Sequence, residues 1–105
     1  MNFDEIKESL SFLDDWEDRY KFVIDLGGEL PSLADSEKTS ANKVQGCVSQ
    51  VWLVVDRHDD SSLVFRGDSD AMIVKGLVAI VVSLFSNKTP QAVIDTPAQE
   101  ILEGL

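Results

Sequence analysis

The feature that most constrains this chain is the stretch AMIVKGLVAIVVSLF, Ala71–Phe85, in which Lys75 is the only charge. It is too short to span a bilayer comfortably, and Lys75 interrupts it. The spacing predicts a helix over about 70–86. Lys75, Ala79, Ser83 and Ser86 form its one thin, less apolar stripe. A helix with so narrow a polar face is mostly buried, so it should be the core helix, packed on a sheet.

The rest of the chain supplies the cover. Phe3, Ile6, Leu10 and Leu13 recur at helical spacing, so residues 3–13 read as a short helix. A second helix begins near Asp14 and Asp15, which suit a cap and first turn. Its apolar face is Trp16, Tyr20, Val23, Ile24 and Gly27, and Gly27–Gly28 are expected to stop it. Residues 29–42, rich in Ser, Asp and Pro, read as a loop. Three strands follow: a short one at 43–45, a turn at Gly46–Cys47, a β-branched and aromatic one at 51–55, and its return at 63–67. The hairpin connection is 56–62, and the Gly67–Asp70 segment closes the strand and caps the core helix. A further helix starts at Lys88–Val93 with Pro90 in its first turn, and AQEILEGL reads as a weak terminal helix. The expected fold is α+β: a small antiparallel three-stranded sheet with helices packed on one face, one domain over residues 1–105.

The formal charge is −10, with 9 basic against 19 acidic residues. Such a surface repels phosphate backbones and anionic headgroups, which argues against nucleic acid and membrane as partners. The first residues, MNFDEIKESL, are acidic and lack the apolar core of a signal peptide, so a cytoplasmic location is expected. A thiol stays reduced there, and a single cysteine forms no internal disulfide.

That cysteine, Cys47, can be read as a small packing residue, a metal ligand or a nucleophile. A free cysteine often simply packs. Cys47, however, follows Gly46 at a predicted turn and precedes the polar Ser49 and Gln50, outside any apolar run. Structural zinc or iron–sulfur binding needs several thiolates or imidazoles, and the chain has one Cys and one His. His58 is expected at the far end of the hairpin, which disfavours a Cys–His dyad. Asp68 and Asp70 could act as an acid–base pair, although helix capping accounts for them at lower cost. Trp16 and Trp52 are expected to be core aromatics. No phosphate-cradling glycine motif occurs. What remains is one sulfur with no base, metal or cofactor beside it, and sulfur exchange needs only a thiolate, access and a partner.

The segments VQGCVSQVWLVV and FRGDSDAMIVKGLVAIVV, together with WEDRYKFVIDLGGELP upstream and NKTPQ downstream, resemble the SufE family of sulfur-acceptor proteins. The resemblance covers most of residues 14–93. It implies an α+β fold shared with NifU-like iron–sulfur scaffold proteins, and no cofactor or metal on the chain itself. It also implies a partner, a pyridoxal-phosphate cysteine desulfurase of the SufS or CsdA type, and an iron–sulfur scaffold as downstream acceptor. Cys47 matches the residue that takes the persulfide sulfur. Gly46, Ser49 and Asp70 match positions around the cysteine loop, where Asp70 would help hold it. Longer family members continue with a further helix past the region matching Leu105. The rival reading is a non-catalytic binding module that activates the desulfurase allosterically, with Cys47 structural.

Overall fold

The computed structural model describes residues 1–46 and 48–105. Helix α1, Phe3–Ser11, is opened by a capping box: Asn2 Oδ1 accepts the Glu5 N–H at 2.9 Å, and the Glu5 carboxylate accepts the Asn2 N–H. Helix α2, Trp16–Glu29, starts at Asp15, whose carboxylate accepts the Glu17 N–H at 2.8 Å. A single 3₁₀ turn, Asp35–Glu37, interrupts the long connection that follows. Strands β1, Val51–Arg57, and β2, Leu63–Ser69, pair antiparallel with Trp52 opposite Asp68 and Leu53 opposite Gly67. The core helix α3, Met72–Phe85, then α4, Pro90–Asp95, and α5, Ala98–Glu103, complete the α+β fold. None of the described helices is long and apolar enough to cross a membrane.

The core helix packs as its composition demands. On one side it meets β2: a Cβ added to Gly67 would sit 2.6 Å from Val78 Cγ1, and the rings of Phe65 and Phe85 lie 6.0 Å apart. On its other side, Ile80 joins Ile6, Leu10, Val23 and Leu26 in one buried cluster with α1 and α2.

Gly27 and Gly28 do not stop α2. Neither adopts a positive φ, and the helix runs through both to Glu29. It ends because Leu30 precedes Pro31, a position barred from helical geometry, and Leu30 is extended at φ −70°, ψ 122°. Gly27 has a different use. A Cβ on it would lie 2.7 Å from the Gly76 nitrogen, and a Cβ on Gly76 would lie 2.0 Å from the Val23 carbonyl oxygen. The two glycines let the backbones of α2 and α3 touch.

The expected third strand at 43–45 is a single bridge, Lys43 to Trp52, so the sheet has two strands among the described residues. The reason lies on both flanks. Residues 39–43 are coiled by turn bonds from Asn42 N–H to Thr39 and from Lys43 N–H to Ser40. Beyond Val44, Gly46 adopts φ +83° and leads the chain away. A second isolated bridge, Leu63 to Lys88, flanks β2 on the opposite edge.

The expectation for the tryptophans divides. Trp52 is buried, whereas Trp16 is 71% exposed. Trp16 sits in the first turn of α2, ahead of the Val23–Gly27 stretch that meets α3. It rests on its own helix, 5.4 Å from the Arg19 guanidinium and 6.3 Å from the Tyr20 ring.

Candidate functional site

Segment 44–50 leaves and rejoins the sheet at the start of β1, and both its stems are fastened. On the entering side Val44 N–H donates to the Val51 carbonyl at 2.8 Å, and Leu53 N–H donates to the Asn42 carbonyl at 2.9 Å. On the leaving side Gln50 N–H donates to Asp70 Oδ1 at 3.0 Å, and Asp70 N–H returns a bond to the Gln50 carbonyl at 3.3 Å. Gly46 supplies the left-handed residue, and no atom lies within 4 Å of where its Cβ would be. Ser49 is half-buried, and Val48 is fully exposed. Cys47 lies outside the described residues.

Asp68 and Asp70 do not cap α3. The cap position is Ala71, which has no side-chain bond to give, and Ser69 Oγ accepts the Ala71 N–H at 3.2 Å instead. Both carboxylates are engaged elsewhere, Asp70 with Gln50 and Asp68 inside the protein. Asp68 is 3% exposed. Its Oδ2 accepts the Leu33 N–H at 3.0 Å and lies 3.5 Å from Lys38 Nζ. Its Oδ1 accepts the Ser69 N–H at 2.8 Å and lies 3.4 Å from Lys75 Nζ. Burial pushes this carboxyl up, but the Leu33 and Ser69 N–H groups with Lys75 and Lys38 outweigh it and hold it below the usual range.

Asp68 shares its face of the sheet with Trp52 and Arg66, the face turned from α3. The 31–42 connection covers it. Lys38 Nζ sits 5.6 Å from the Trp52 ring centroid, and Arg66 donates to both Glu37 oxygens and, through Nε, to Asp56 at 2.7 Å. The Arg66 hydrogen bonds, helped by the Ala34 N–H, lower the Glu37 carboxyl from its ordinary value. Asn42 Nδ2 donates to the Glu37 carbonyl at 2.8 Å, which carries this polar layer on to the entering stem of segment 44–50. Sequence reasoning did not find Asp68, Lys38 and Lys75 as a cluster. The available signal was an aspartate one residue inside a strand end, where a solvent-facing cap would stand later.

His58 sits at the other end of β1, where its N–H bonds the Ser62 carbonyl and closes the hairpin. With seven strand residues between them at about 3.3 Å each, His58 is remote from the start of β1. Among the described residues no group of three His, Cys, Asp or Glu side chains is placed to hold a metal ion. An apolar groove of about 420 Å³ lies between α2, α3 and α5 and is lined by Trp16, Tyr20, Ile73, Leu77 and Leu102. Its one charged side chain, Arg19, is spent on the Leu13 and Leu105 carbonyls. Such a groove can bind an apolar surface but offers no reacting group.

The family model described as SufE, Fe–S metabolism associated domain, matches residues 4–105. An uncharacterized SufE-like protein of Rhizobium meliloti (strain 1021) is 48% identical over 103 residues, covering 95% of this chain and 74% of the relative. One of Rhizobium etli is 50% identical over 107 residues, covering 99% of this chain and 72% of the relative. The matched span includes both strands, the core helix and the fastened segment between Val44 and Gln50, and it places the chain in the SufE family, a domain associated with Fe–S metabolism.

Proposed function

We propose that this protein accepts sulfur from a cysteine desulfurase on Cys47 and passes it on for iron–sulfur cluster assembly. The observation that carries the reading is the fastening of segment 44–50: two backbone bonds on one stem, two bonds to Asp70 on the other, and Gly46 in a left-handed turn between them. Exchange between protein sulfurs requires a thiolate that can meet its partner in a set direction, and stems fastened on both sides are what such a segment would need. In this role Gly46, Ser49 and Asp70 support the cysteine segment.

The step balances without an oxidant. The Cys47 thiolate attacks the outer sulfur of the desulfurase persulfide, a new S–S bond forms on Cys47, the old one breaks, and the desulfurase cysteine leaves as a thiolate. Delivery repeats the exchange with the next acceptor. The pyridoxal phosphate that generates the persulfide belongs to the desulfurase.

The test is the intact mass of the protein after incubation with a SufS-type desulfurase and L-cysteine, beside Cys47→Ser. The expected result is a gain of about one sulfur atom, removed by reductant and absent in the variant. No gain in the unsubstituted protein overturns the reading.

A further inference from the structure

We propose that Asp68 is a positioning residue for sulfur transfer, setting the entering stem of segment 44–50 through the 31–42 connection while Asp70 sets the leaving stem. The inference rests on the reading of Cys47 as the acceptor. Its ground is the geometry of one buried carboxylate with four partners drawn from three parts of the chain: Leu33 and Lys38 in the connection, Ser69 at the end of β2, and Lys75 in the second turn of α3.

The path from Asp68 to the segment is continuous. Asp68 fixes Leu33 and Lys38 on either side of the 3₁₀ turn, so residues 33–38 are held at both ends. Glu37, inside that span, accepts Arg66 from the sheet through its side chain and Asn42 through its carbonyl. Asn42 in turn accepts the Leu53 N–H, and Val44 donates to Val51. Asp70 completes the arrangement two residues along the same strand end. Two carboxylates, one buried and one exposed, thus each govern one stem of the same segment.

Lys38 and Lys75 approach different oxygens of Asp68, so one carboxylate holds two ammonium groups. Lys75 keeps a second partner, Ser32 Oγ at 3.1 Å, whereas among the described residues Lys38 keeps the Trp52 ring. Removing the carboxylate charge therefore releases Lys38 first, and with it the end of the connection nearest Asn42. A nearly isosteric amide, in Asp68→Asn, leaves the volume unchanged and removes the charge.

The experiment uses the full chain and two readouts that a general loss of stability leaves alone while the protein stays folded. One is the alkylation rate of Cys47 by iodoacetamide in the free protein. The other is sulfur transfer from the desulfurase, resolved into its rate at saturation and its half-saturating concentration. In Asp68→Asn the alkylation rate is expected to rise at least about threefold and saturated transfer to fall about fivefold, with half-saturation within about twofold. In Lys38→Met the same changes are expected at smaller size. A folded Asp68→Asn protein with alkylation and transfer like the unsubstituted chain overturns the proposal. If Asp68→Asn does not fold, Lys38→Met decides it, and an unchanged alkylation rate there overturns it. If the unsubstituted protein gains no sulfur, the acceptor reading fails, while the alkylation arm still decides the role of Asp68.

Discussion

The middle of α3 and its N-terminal end are held by different physics. Along its middle, α3 meets α2 through the Gly27–Gly76 backbone approach and the Ile6, Leu10, Val23, Leu26 and Ile80 cluster. At its N-terminal end, beside segment 44–50, the fastening is polar: Asp68 with its two lysines and Asp70 with Gln50. Apolar packing tolerates no extra volume and is indifferent to charge. Hydrogen-bonded carboxylates fix direction more than they add stability, and they respond to pH. The difference assigns the fold to one region and the placing of segment 44–50 to the other.

Breaking the apolar region should have the largest effect. Gly76→Ala puts a Cβ 2.0 Å from a backbone oxygen that no rotamer change can move. It is expected to cost about 3 kcal/mol or more in urea unfolding, or to prevent folding. Trp52 and Trp16 sharpen the contrast within one residue type. Trp52→Ala, which empties a buried site between Lys38 and the sheet, should cost about 3 kcal/mol. Trp16→Gln, at an exposed position, should cost less than about 1 kcal/mol in the same assay.

The polar region predicts a pH signature. Asp68 is held below its ordinary pKa, so its contribution is present above the unfolded value of about 3.9 and is lost as pH falls through the folded value. The melting temperature of the unsubstituted protein should therefore fall more steeply below about pH 4 than that of Asp68→Asn. Parallel curves would contradict this. A small stability effect is expected at Gly46. Its added methyl has open space, so Gly46→Ala carries only the left-handed backbone penalty of about 1 kcal/mol. Transfer of sulfur should suffer more than the melting temperature does.

The parts of the fold legible in the sequence were those set by local pattern. The apolar run announced α3, β-branched residues announced β1, and Pro90 marked the start of α4. Several misses are residues whose local preference was overridden by a distant partner. Gly27 reads as a helix stop until α3 is known to lie against it. Asp68 and Asp70 read as caps because their true partners, Leu33, Lys38, Lys75 and Gln50, include residues 35 and 20 positions away. Trp16 reads as core because periodicity gives the face of a helix but not how far along its neighbour it reaches. At the site, Cys47 and Gly46 were singled out from sequence alone, whereas the carboxylate that ties down the 31–42 connection was not.

The central claim is that sulfur passes through Cys47 itself. It is tested most directly by desulfurase turnover with L-cysteine in the presence of the unsubstituted protein, Cys47→Ser, or both. The account predicts that Cys47→Ser gives no stimulation and, when added in excess, suppresses stimulation by the unsubstituted protein, because it docks but cannot accept. Equal stimulation by Cys47→Ser would contradict it and make the protein an allosteric activator whose cysteine takes no part in the chemistry.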